Sequence, residues 1–138
     1  MMNVKKLSIA TICGLVATMV ASIVPIMLYY QPHSEALAKK YPNVVNATPD
    51  MVPALIGMII YLFITALIFD RMGVKSIKEG AITGIWFGGG LWFFFNMQMM
   101  ALIPGIFDLS YALIDVPVSA VLYSVQGAAI GWALERFE

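Results

Sequence analysis

Residues 80–100 read GAITGIWFGGGLWFFFNMQMM, and the organisation of the whole chain follows from this stretch. Gly80, Gly84 and Gly88 recur every four residues, and Gly89 and Gly90 extend the run. On a helix turning about 100° per residue, the three spaced glycines share one face with Leu91, Phe95 and Gln98. A face of that kind lets a neighbouring helix approach the backbone closely. The second half is bulky, with Trp92 and three consecutive phenylalanines, and it carries two amides, Asn96 and Gln98. Asn96 points about 160° away from Gln98 on a regular helix, so the two amides meet different surroundings. The Gly88-Gly89-Gly90 run is the place where this helix is expected to lose regularity, because glycine tolerates unwinding.

A stretch so apolar in the middle of a short chain poses a question of class, which composition answers. The 138 residues are 61% apolar and 12% charged, with a mean hydropathy of +0.87. Soluble domains are about half apolar and a quarter charged, so this is an expected membrane protein. A helix needs roughly 20 apolar residues to cross a bilayer. Residues 7–30, 51–69, 81–103 and 116–134 reach or approach that length. The expected fold is therefore all-α: a polytopic integral membrane protein, an antiparallel four-transmembrane-helix bundle in a single domain over residues 1–138. The first span is too long for a signal-peptide core of about 7–15 residues and is read as retained. Cys13 is the lone cysteine, which excludes an internal disulfide. Net charge is zero and there is no basic run, so the expected partner is lipid and not nucleic acid.

Lysine and arginine in the flanks set the expected orientation. Lys5, Lys6, Arg71, Lys75, Lys78 and Arg136 lie on one side, and Lys39 and Lys40 on the other. The richer side is expected to be cytoplasmic, which places both termini inside a cell membrane.

The remaining spans carry their own punctuation. Ala10, Gly14, Thr18 and Ser22 form a second thin face on the first span, and Pro25 is expected to kink it. Ser34 is the expected N-cap of a separate two-turn helix that stops before Pro42. The second span is expected to start at Thr48-Pro49-Asp50 or at Asp50 itself, and Asp115, with Pro117 in the first turn, is expected to cap the fourth. At an offset of 65, Asp50 meets Asp115, Asp70 meets Glu135 and Arg71 meets Arg136. This pattern suggests a two-hairpin repeat of the kind known among transporters.

The residues with chemistry to offer are few. On the fourth span Asp115, Ser119, Leu122 and Gln126 share a face, while Ala120, Ser124, Gly127 and Gly131 make a thin one. Antiparallel packing is expected to bring Asn96, Ser119, Tyr123 and Gln126 within reach of each other in the outer half, with Gln98 nearby. Such a group either lines a polar cavity or clamps helices together at about 0.6–2 kcal/mol per contact, and the clamp is the plainer reading. With Asp115 taken as a cap, no ionisable residue lies inside a span, which disfavours proton pumps and coupled exporters. The methionines and His33 suit Cu(I) chemically, but no His pair accompanies them to frame a metal site. No cofactor is expected. Small fluoride channels are similar in size and in a Phe-rich polar third span, but the charge bias and the lack of an arginine in the first span separate this chain from them.

The function expected from these features is non-enzymatic: an interaction or assembly subunit of a membrane complex or homo-oligomer. It rests on an apparent surplus of thin helix faces, at Gly14, Gly80, Gly84, Gly88, Gly127 and Gly131, with Gly84 expected to meet a partner. A small-solute channel or carrier with a polar outer-half cavity is the alternative, and a lipid-modifying enzyme comes third.

Overall fold

The computed structural model describes residues 3–137, and all regular structure within them is helical. The helices are α1 (Val4–Pro25), α2 (Gln31–Lys40), α3 (Met51–Arg71), α4 (Ile77–Leu102) and α5 (Leu109–Arg136), with a π-helical turn Ile26–Tyr30 joining α1 to α2. Among the described residues, three helical runs are long and apolar enough to cross a membrane: Val4–Lys40, Met51–Arg71 and Leu109–Arg136. The 26 residues of α4 have the length as well, but they include five glycines and two amides, which make the helix less apolar.

The first run does not break where the sequence suggested. Pro25 has no N–H to give to the turn before it, and the chain answers by widening. The Gln31 N–H donates to the Ile26 carbonyl five residues back, the bond that defines a π turn. The helix then continues through Ser34 to Lys40, so Ser34 is an interior residue and not an N-cap. Pro42 ends the run, because it bars helical backbone at Tyr41, which adopts φ −132° and ψ 66°. The Tyr41 hydroxyl then donates to the Gly105 carbonyl at 3.2 Å, tying this loop to the α4–α5 connection.

The other helix ends follow local chemistry. Asp50 caps α3 by accepting the Val52 N–H at 3.0 Å, as expected. Gly73, at φ +76°, turns the chain out of α3 in the left-handed region that glycine alone enters freely. Ser76 accepts the Glu79 N–H at 3.1 Å, and Glu79 Oε2 accepts the Lys75 N–H at 2.9 Å. This box starts α4 four residues ahead of the expected span. Helix α4 then stays regular through Gly88-Gly89-Gly90, and the expected unwinding is absent. The largest difference is in α5. Asp108, not Asp115, is its N-cap, accepting the Tyr111 N–H at 2.8 Å. Asp115 is thereby moved nearly two turns inside the helix. Of the three pairs related by the offset of 65, two differ in role: Asp50 is an exposed cap and Asp115 is interior, while Asp70 is ion-paired and Glu135 is exposed; Arg71 and Arg136 each end their helix.

Helix α5 is the centre of the packing, flanked by α4 and α1, while α3 leans on α1. The α4–α5 seam is where the glycines lie. A Cβ added at Gly80 or at Gly127 would run into the other residue's carbonyl oxygen, and one at Gly84 would run into that of Tyr123. Gly131 abuts Ser76 and Gly80, and Gly88 lies against the Tyr123 ring. The expectation that Gly84 meets a partner is therefore corrected: its face is filled from within the chain. Gly14 receives the side chains of Ile130 and Leu62, and a Cβ there would come within 2.9 Å of Ile130. The apolar core, with Leu7, Leu62, Phe69, Ile130 and Leu134 fully or almost fully buried, lies at the end of the molecule that carries both termini. At that end Lys6 pairs with Asp70 at 2.8 Å. The opposite end is less tightly filled, and Asn96, Asp115 and Ser119 are buried there.

Candidate functional site

Once α5 begins at Leu109, residue 115 lies about 9 Å along its axis. Its face is turned toward α4 and the π turn, and the side chain is only 2% exposed. Three segments supply donors to this carboxylate. The Tyr30 hydroxyl, from the π turn, donates to Oδ1. From α4, the Trp92 indole donates to Oδ2 at 2.6 Å and the Asn96 amide at 2.7 Å. The Ser119 hydroxyl, one turn further along α5, stands at 3.5 Å from Oδ1.

All four donors are neutral. Taking a carboxylate out of water costs several kcal/mol, and bonds to a charged group return about 1.5–3 kcal/mol each. The cluster therefore holds the acid in place without supplying a counter-charge. Asn96, itself 1% exposed, also donates to the Trp92 carbonyl at 3.1 Å, so both of its amide hydrogens are used. Its Oδ1 is buried, and among the described residues it has no hydrogen-bond partner.

Aromatic rings surround the cluster. Trp92 stacks on Phe95 with centroids 5.0 Å apart and meets the Tyr123 ring edge-on at 6.1 Å. Toward the α2 end, His33 stacks against Tyr111 at 4.9 Å and against Tyr29 at 5.6 Å. Beside Trp92, α3 and α4 hardly meet, and the gap between them is a cleft of about 600 Å³. Its walls include Gly57, Met58 and Tyr61 from α3, Leu91 and Trp92 from α4, and Tyr123 from α5.

The sequence-derived group is divided by the structure. Asn96 and Ser119 meet on a shared acceptor, Asp115, and Tyr123 borders them through the Trp92 ring. Gln126 is buried on the same face of α5 but about three turns further along, where its Oε1 accepts from Thr18 of α1 at 3.2 Å. Gln98 is exposed on the outer face of α4 and joins neither set. The acid itself, with Tyr30 and Trp92, was missed. A signal for it was present, since Asp115 and Ser119 are four residues apart on one face, but it depended on choosing Asp108 over Asp115 as the cap. The premise that no ionisable residue lies inside a span is corrected by the same choice.

No protein-family model matches the chain, and neither a curated protein nor a solved structure does.

Proposed function

We propose that the chain is a four-span membrane protein, α1, α3, α4 and α5 each crossing once with both termini cytoplasmic, that binds and carries a small solute at Asp115. The observation that carries this reading is the carboxylate itself: 2% exposed, in the interior of α5, with neutral donors only. An apolar residue at that place would avoid the desolvation cost, and acids kept inside membrane helices are characteristically functional. The unpartnered Asn96 Oδ1 beside it adds an acceptor available to a ligand. The orientation rests on the lysine and arginine bias of the flanks. No covalent chemistry is assigned to the site.

The test is solute flux in liposomes reconstituted with the purified protein, compared with Asp115→Asn. Wild-type flux that the variant loses supports the reading, and equal flux from the two proteins refutes it.

An assembly subunit is the second reading. Its original support, the thin helix faces, is taken up inside the chain. A different feature now favours it: Trp86, Gly90, Phe93 and Phe94 lie on one exposed face of α4, with open space at Gly90. Mass measurement in mild detergent tests it, a single monomeric species counting against it.

A further inference from the structure

The cleft between α3 and α4 opens sideways, because the helices that border it hardly touch. Its lining contains no lysine, arginine or histidine. At its inner wall the Trp92 ring is shared. One part of the indole borders the cleft, and Nε1 is bonded to Asp115 at 2.6 Å. A single side chain thus stands between an apolar space of about 600 Å³ and a buried carboxylate that, among the described residues, has no cationic partner. Tyr61, Phe95 and Tyr123 add further rings around the same space, and the Tyr61 hydroxyl is buried with no hydrogen-bond partner among the described residues.

These features select for both charge and shape. The group bonded to the cleft wall is an acid, Asp115, and ring faces attract cations through their quadrupoles, by about 2 kcal/mol or more when water is excluded. An anion would meet the carboxylate and the ring faces with the wrong sign. A small hydrated cation would find almost nothing in the cleft to replace its water. A cation with a bulky apolar body satisfies both demands.

We infer that the cleft takes a lipophilic organic cation, which enters from the bilayer between α3 and α4 and rests its charge against Trp92 and Tyr123 in the field of Asp115. The inference rests on the carrier reading for its site, and it names the substrate class. The body lies along Gly57, Met58 and Leu91, where a Cβ added at Gly57 meets no atom within 4 Å. That open position marks free space in the cleft and also supplies a way to close it.

The experiment uses two probes of equal shape and opposite charge, tetraphenylphosphonium and tetraphenylborate, titrated against the purified protein in nanodiscs with tryptophan fluorescence as readout. The phosphonium is expected to bind saturably and the borate about tenfold more weakly or worse. Asp115→Asn is expected to lower phosphonium affinity by about tenfold and to strengthen, not weaken, borate binding. Gly57→Phe fills the cleft without a backbone clash and is expected to abolish phosphonium binding in a protein that melts as wild type. Equal binding of the two probes, or undiminished phosphonium binding in Gly57→Phe, overturns the inference. Saturable, charge-selective binding without flux supports the ligand class and tells against carriage. Flux of another solute without phosphonium binding does the reverse.

Discussion

The Trp92 indole donates to Oδ2 of Asp115 at 2.6 Å, joining residues 23 positions apart at the centre of the polar cluster. The bond fixes the ring that borders the cleft, and it satisfies one of the acceptor positions of an acid that water does not reach. Trp92 therefore has a structural duty as well as a place in the binding wall, and the two can be separated by substitution.

Trp92→Phe retains an aromatic wall and removes the donor. A hydrogen bond to a buried charged group contributes about 1.5–3 kcal/mol, so the detergent-solubilised protein should melt at a clearly lower temperature. In Trp92→Phe combined with Asp115→Asn the penalty should shrink, because the neutral amide needs fewer donors. Circular dichroism melts of the three variants measure this. Additive losses would show that the bond does not couple the two residues.

Gly84→Ala should be severe, because the new methyl group meets the Tyr123 backbone carbonyl, which cannot rotate away. Overpacking of this kind costs about 1–3 kcal/mol. Gly90→Ala, on the open side of the same helix, should be neutral or should stabilise by up to about 1 kcal/mol through helix propensity. Thermal denaturation of monomeric protein distinguishes the two. A Gly84→Ala variant that melts at the wild-type temperature would mean that α4 and α5 are not in this contact.

Lys6 and Asp70 pair at 2.8 Å, with side chains 10% and 28% exposed. Removing one partner of a buried pair costs about 3–5 kcal/mol, and the partial exposure of Asp70 reduces that figure here. Lys6→Met should destabilise the protein, and adding Asp70→Leu should recover more than half of the loss, since no buried charge is then left alone. Chemical denaturation of the single and double variants decides it. A double variant weaker than Lys6→Met would contradict this account of the pair.

The proposed orientation is checked with single cysteines on a Cys13→Ser background. Lys39→Cys, near the end of α2, should label from outside intact cells. Lys75→Cys, in the α3–α4 connection, should label only after permeabilisation. Labelling of position 75 in intact cells would reverse the orientation.

Much of the architecture was legible because it depends on short-range signals. The apolar runs set the helices, Asp50 capped α3 as read, Pro42 ended the α2 run, and the four-residue glycine spacing marked a close-contact face. Asn96 and Ser119 were legible as members of one site, because burial of an amide or hydroxyl in a helical membrane protein demands a partner. Gln98 and Gln126 were misplaced because a helical face, read alone, does not say which neighbour it meets.

What the sequence by itself determined is the set of helices and the faces they carry, since caps, prolines and periodicity act within a few residues. The tertiary structure alone decided where those faces go. The glycines of α4 lie against α5, those at 80 and 84 next to Gly127, because two thin surfaces can approach more closely to each other than to any bulky one. It also decided between Asp108 and Asp115 as the start of α5. Both are competent caps locally, and the difference lies in donors brought from 85 and 23 residues away, Tyr30 and Trp92, which make the interior position tenable for a carboxylate. Contacts at that separation exist only after the helices have packed.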